Sequence, residues 1–215
     1  MFNNRGKWQA VSAGAALAAA AWYAQRVLRL RAYREEVRRK TEKLLEKDGW
    51  TADGYIKDQD CFYHRTYRTI PASGNGCGPV AAYNLRRHAG QEPNLEQVLL
   101  EMDAMHWRRA PGPTRMRVMR AYCQKYLPGF RELRGRARAL EAMERGGMGV
   151  LRYHENGVPH FIMWYRTADG ARFFNVSEGA EDLSVRPAAF AAEHLRGGSV
   201  RLLWWPQCPS PAART

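Results

Sequence analysis

The sequence predicts an α+β fold: a helical half followed by an antiparallel sheet, with a long helix ahead of both. Three observations carry this. Helix-period runs with recognisable starts and stops occupy residues 77–145. Short runs rich in β-branched and aromatic residues, separated by Asn-Gly and Asp-Gly turns, occupy residues 148–205. An alanine-rich uncharged stretch continues directly into a charged helical stretch before residue 48. Helices gathered before strands make an α+β order rather than an alternating one. The chain divides accordingly into an N-terminal helical segment 1–48, a domain 49–205 and a proline-rich, frayed tail 206–215.

In the first segment, Trp8 to Ala24 is uncharged and dominated by alanine, and the charged run from Arg26 to Lys47 follows at once. Seventeen residues at 1.5 Å rise just cross a hydrocarbon core of ~30 Å. Trp8 at one end and Trp22–Tyr23 at the other suit two bilayer interfaces, and the basic cluster beyond would keep the following domain in the cytoplasm. The expectation is a single-pass anchor in a bacterial inner membrane. A surface-lying amphipathic helix, a soluble alanine-rich helix in a cytoplasmic protein and a cleaved signal peptide are the alternatives. Glu35–Arg39 and Glu36–Lys40 have supportive i,i+4 spacing, and Gly49 ends the helix.

Residues 48–76 are irregular, punctuated by glycine and proline. Gly78-Pro79 opens a helix over Val80–His88, closed by Gly90. Asn94-Leu95-Glu96-Gln97 is a capping box for a helix reaching Ala104. Further helices span Met116–Tyr126, stopped by Leu127-Pro128-Gly129, and Ala137–Glu144. Strands are expected at Met148–His154, Pro159–Arg166, Arg172–Val176 and Val200–Trp205.

Composition narrows the function classes. With 45% hydrophobic and 26% charged residues the chain is neither disordered nor a polytopic membrane protein. Four cysteines without a CxxC pair exclude a zinc ribbon and a disulfide framework, so the chain is expected to fold reduced. The net charge of +13 is concentrated in two segments. Arg26–Lys47 carries nine basic and four acidic residues, and Arg108–Arg145 carries eleven basic and three acidic. Such a field attracts anionic lipid, nucleic acid or acidic peptide without choosing among them, and a solvated arginine-rich surface is the plainer account.

The segment richest in chemistry is Ser73-Gly74-Asn75-Gly76-Cys77-Gly78-Pro79-Val80-Ala81-Ala82-Tyr83-Asn84. It places Cys77 where a glycine-rich loop turns into a helix, facing free N–H groups and the positive dipole end, which favour a thiolate. Gly76 and Gly78 would let a substrate backbone approach closely. Cys61, Cys123 and Cys208 read as structural.

A thiolate needs a proton shuttle. His88 lies three turns along the same helix, and His64, His106 and His194 have no arguable partner. His154 and His160 flank the turn Glu155-Asn156-Gly157, and His160 opens a strand on which His160, Ile162 and Trp164 share one face. The polar residue in the next apolar run is Asn175. A four-residue loop Arg166–Asp169 would pair Tyr165 with Gly170 and His160 with Asn175, whose amide could then fix the imidazole tautomer. A two-residue Asp-Gly turn would instead set Trp164 against Asn175.

Asn-Gly-Cys-Gly-Pro-x-Ala-Ala-x-Asn at a helix start resembles the nucleophile motif of papain-like cysteine peptidases. It is most similar to the bacterial branch containing the bacteriocin-processing, double-glycine leader peptidases. Pro159-His160-Phe161-Ile162-Met163 and Phe173-Phe174-Asn175 match the later motifs of that branch in order and spacing, and the resemblance covers about residues 57–205. It implies a papain-like fold, Cys77 as nucleophile, His160 as general acid/base and Asn175 as orienter. It also implies an oxyanion hole from the nucleophile's own N–H and a Gln six residues upstream. That position is Pro71, which donates nothing; Asn75, then Ser73 or Gln59, are the candidates to replace it.

The expected activity is therefore that of a thiol peptidase acting through a Cys77 thioester on a peptide or protein substrate, with no cofactor and no metal. The missing Gln supports an alternative, a degenerate papain-like module that binds a peptide or protein partner at a membrane surface without cutting it. Arg26–Lys47 would meet an anionic membrane, and nucleic acid is not the expected partner.

Overall fold

A computed structural model describes residues 4–106, 112–155, 157–176 and 183–207, with side chains of the first helix described from Ala15 onward except residues 16, 26 and 30. Cys208, Asn156 of the first hairpin turn and most of the tail fall outside these residues. The fold class is α+β, with a six-stranded antiparallel sheet.

Helix α1 spans Asn4–Thr41. Two single-turn 3-10 helices, Glu46–Gly49 and Gln59–Phe62, lead to a minimal hairpin of β1 (Thr66–Tyr67) and β2 (Ile70–Pro71). A one-turn helix α2 (Ala72–Asn75) abuts α3 (Cys77–His88), and α4 (Leu95–Ala104) and α5 (Met116–Tyr126) complete the helical half. The Asn94 side chain caps α4 by accepting from the Gln97 N–H at 3.2 Å. Then come β3 (Arg131–Arg134), α6 (Arg136–Arg145), β4 (Met148–Glu155), β5 (Val158–Arg166), β6 (Ala171–Phe174), β7 (Leu183–Val185), α7 (Pro187–His194) and β8 (Arg201–Trp205). The strand order is β3-β8-β4-β5-β6-β7.

Alternation along the central strands gives the sheet two apolar faces. Val150, Phe161, Met163, Phe174 and Leu203 pack on the side of α3, α4 and α5. Leu151, Ile162, Trp164, Phe173 and Leu202 pack on the side of α6 and α7. Burial on both faces explains the nearly continuous apolar runs of β4 and β5.

The edge strands break that pattern. β3 is Arg-Glu-Leu-Arg, with charge at most positions, which discourages pairing with another chain along an open edge.

Two expectations change. The hairpin between β5 and β6 pairs Arg166 with Ala171 and Met163 with Phe174, a register between the two considered. Continued by one residue it would set Asn175 against Ile162, but β6 stops at Phe174, and Asn175 turns away with φ 61°. Second, among the described residues no helix is long and apolar enough to cross a membrane. Alanine adds little to membrane transfer, so the stretch 8–24, already tight in length, falls short on hydropathy as well.

Helix α1 is no detached appendage. Its last turns lie on α2: Val37 and Thr41 are buried, and the Tyr33 hydroxyl donates to the Gly74 carbonyl. The Arg34 guanidinium donates to Thr69 O at 2.5 Å. Upstream, Leu17, Trp22, Tyr23 and Leu28 stand exposed.

Candidate active site

Cys77 is the first residue of α3, and Gly76 before it ends the α2 turn by donating to Ala72 O at 2.6 Å. The thiol is 5% exposed and opens onto a cleft of about 680 Å³. His160, Asn175, Gln59, Ser73 and Asn75 line the same cleft, so every residue singled out for chemistry converges there. Backbone N–H groups of Phe161, Gly78 and Cys77 itself face the sulfur. Phe161 directly follows His160, so the sulfur rests against the start of β5.

The imidazole is fixed by backbone. His160 Nε2 lies 2.5 Å from the Asn175 carbonyl oxygen, so Nε2 carries the proton and donates it, leaving Nδ1 as the basic nitrogen. Tyr153, its cross-strand neighbour, meets the ring edge-on. The Asn175 side chain does a different job from the one expected of it. Its Oδ1 accepts from the Gln59 N–H at 2.9 Å, and its Nδ2 donates to Gln59 Oε1 at 2.9 Å. Positive φ at Asn175 aims the carbonyl and the side chain at separate partners, a conformation asparagine tolerates better than most residues.

Gln59 is itself held from both sides. Its Nε2 donates to Ser73 O at 2.9 Å, and Asn175 N donates to Lys57 O at 3.2 Å. Asn84 on α3 binds Ile56 through both halves of its amide, at 2.8 Å and 2.7 Å, anchoring this segment two turns below Cys77. The asparagine that closes the cysteine motif thereby sets the position of Gln59.

The three oxyanion candidates separate by their commitments. Ser73 Oγ is 3.1 Å from Thr41 Oγ1 of α1, and the Gln59 amide belongs to the network above. Asn75 is buried, and its Nδ2 has no hydrogen-bond partner among the described residues. A buried amide donor without an acceptor costs about 1–3 kcal/mol, which a fold retains only where something repays it.

Electrostatics revise the expected thiolate. Burial pushes the Cys77 thiol up to about 11, outweighing the N–H groups of Phe161, Gly78 and Cys77 and the positive charge of Arg152. Burial also lowers His160, against the opposing pull of the Asn175 carbonyl and Glu155. Loss of water therefore biases both groups towards their neutral forms, against the N–H donors that face the sulfur. Cys61 and Cys123 are raised further, to about 12 for Cys61, in keeping with a structural role.

The motif glycines also act differently from expectation. A Cβ at Gly78 would lie 2.2 Å from Thr114 Oγ1, and one at Gly76 2.5 Å from Ala72 O. Their small size serves packing inside the domain rather than access for a substrate.

Sequence reasoning missed the far wall of the cleft. Tyr33, Glu36, Val37 and Lys40 of α1 line it, with Asp58, Asp60 and Glu155 from the domain. Val37 was the available signal, an apolar residue within a run of charges. Among the described residues no cluster of His, Cys, Asp or Glu could hold a metal ion. No protein-family model, curated protein or solved structure matches this chain.

Proposed function

We propose that this chain is a cysteine peptidase with the papain-like arrangement of helical half and sheet, Cys77 being the nucleophile and His160 the general acid/base. The observation that carries the reading is the shared cleft. A thiol at the head of α3 and an imidazole at the start of β5 open onto it together, with the ring's Nε2 engaged by Asn175 O at 2.5 Å.

The chemistry starts from neutral partners. As the sulfur attacks a peptide carbonyl carbon, its proton passes to His160 Nδ1 and a C–S bond forms. The oxyanion takes hydrogen bonds from the Cys77 N–H and from Asn75 Nδ2, the uncommitted donor. The imidazolium then protonates the departing amine as the C–N bond breaks, leaving a thioester. Water, deprotonated by the same ring, attacks the thioester; the C–S bond breaks, the sulfur regains its proton from the imidazolium, and the released carboxylic acid ionises to solvent. Asn175 is a positioning residue: its carbonyl fixes the ring, and its amide holds Gln59.

A second reading, a peptide-binding module without turnover, is favoured by the thiol being held up at about 11. Treatment with a peptidyl vinyl sulfone, read by intact mass, tests both. The peptidase reading expects a single adduct that disappears in Cys77→Ala and forms far more slowly in His160→Ala. No adduct, or one independent of Cys77, overturns it.

A further inference from the structure

A second pocket of about 550 Å³ adjoins the cleft and shares Gly112, Pro113 and Pro159 with it. Pro159 immediately precedes His160, so the two spaces meet beside the proposed base. Four arginines line the second pocket, Arg68, Arg115, Arg152 and Arg201; no carboxylate is among its described lining residues, and Asp103 and Glu132 act on Arg68 and Arg201 from outside it.

The cluster is built by the fold. Arg152 and Arg201 are direct partners across β4 and β8, and Phe161, whose N–H faces the Cys77 sulfur, flanks Arg152 on the other side. Arg68 is buried in a left-handed conformation, φ 51°, and donates to Gly112 O at 2.9 Å and Pro113 O at 3.2 Å. Arg115 comes from the cap of α5, in the more basic of the two charge-rich segments. Arg152 donates to the neutral Ser199 Oγ at 3.2 Å, and Arg201 reaches Glu132 of β3 at 3.7 Å.

Like charges drawn together in partial burial oppose folding unless an anion joins them. Loss of water and the charge of Arg201 hold the Arg152 guanidinium below its ordinary value, and Arg152 in turn acts on Cys77. The pocket thus offers forked donors to a carboxylate at a fixed offset from the reacting sulfur.

We infer that this arginine pocket is a substrate subsite that takes a carboxylate of the bound peptide next to the scissile bond. The inference deepens the peptidase reading and rests on it for the word substrate, but binding alone tests the pocket. The carboxylate is an Asp or Glu side chain or the peptide's own C-terminus.

Cys77→Ala protein is titrated by fluorescence anisotropy with labelled alanine-based decapeptides carrying one Glu at successive positions. Gln counterparts are run in parallel, each with a free and with an amidated C-terminus. The expected result is binding about tenfold tighter for one Glu position, or for the free C-terminus, than for the uncharged partner. That preference falls towards one in Arg115→Gln, a surface change that spares the fold, and in Arg152→Gln. Equal affinity of Glu and Gln peptides with both termini, a preference untouched by both arginine variants, or no peptide binding overturns the subsite. The wild-type protein is assayed for cleavage of the same peptides. Glu-selective binding without cleavage leaves the subsite standing and removes the peptidase; cleavage without charge preference does the reverse.

Discussion

His160 and Asn175 are joined through backbone: Nε2 of the imidazole lies 2.5 Å from the Asn175 carbonyl oxygen, while the Asn175 amide is spent on Gln59. The side chain therefore supports the ring at one remove. Asn175→Ala and Gln59→Ala should each lower turnover of a model peptide about tenfold, and the double variant should be scarcely worse than either, because one linkage is lost in all three. Asn175→Val should be the most damaging, since a β-branched residue resists φ 61°. Additive losses in the double variant would separate the two residues.

Asn75→Ala gives an unusual combination. Removing an oxyanion donor should cut kcat by ~10²–10³ with little change in KM. Removing a buried Nδ2 that has no partner should leave the thermal midpoint unchanged or raise it. A fall in stability together with unaltered kcat would assign Asn75 to the scaffold.

The pH profile follows from two neutral partners. On the proposed mechanism the working base is unprotonated imidazole, and His160 is lowered from 6.5, so kcat/KM should hold through mildly acidic pH and fall only at that lowered value. Glu155 favours the charged ring and His194 opposes it, so Glu155→Gln should move the acid limb further down. Alkylation of Cys77 by iodoacetamide should keep rising from neutral pH towards about 11. A rate already level at neutral pH would reveal a preformed thiolate.

His88 supplies a stability switch of known sign. It is buried, with its Nδ1 3.0 Å from the Tyr55 hydroxyl and its ring stacked on Tyr165, and burial lowers it from 6.5 to about 4. The unfolded chain takes up that proton first. The contribution is therefore complete above 6.5 and is lost as pH falls towards about 4, a difference on the order of 3 kcal/mol. Denaturation midpoints for His88→Gln should show a flatter acid slope than wild type across this window.

Gly74 tests the seating of α1. A Cβ there would stand 2.7 Å from Val37 Cγ2 and 2.9 Å from the Tyr33 hydroxyl. Gly74→Ala should push the helix off α2, exposing the chain near residues 42–48 to limited proteolysis while the sheet domain stays folded. Gly78→Ala, which meets Thr114 inside the domain, should instead lower the global stability by about 1–3 kcal/mol.

Local pattern made much of this molecule legible. The Asn94 cap, the bounds of α5 at Met116 and Tyr126, and strands β4, β5 and β8 carry their signals within a few residues of chain, although the Gln97 side chain turns to Glu101 instead of closing the capping box. What escaped is what depends on partners far away in sequence. β3 and β7 are too short or too charged to show a period, and α7 hides in an alanine-rich connection. Cys77, His160, Asn175 and Asn75 could be singled out because each is a polar or reactive residue in a setting that does not otherwise call for one. The Asn175–Gln59 linkage could not, because it crosses 116 positions and depends on a backbone angle. The pull of burial on Cys77 is hidden for a related reason: a helix start is visible in the sequence, whereas the depth at which the sulfur lies is not.

The seating of α1 makes the two ends of one rod unequal. At 1.5 Å per residue, Asn4–Thr41 extends ~57 Å, and its final turns, from Tyr33 to Thr41, form one bank of the cleft onto which the sulfur opens. Any force or attachment acting on the far end is thus delivered by a stiff lever to the bank of that cleft. Trimming that rod would leave the reactive centre open along one side, with Ser73 and the α2 turn stripped of their brace.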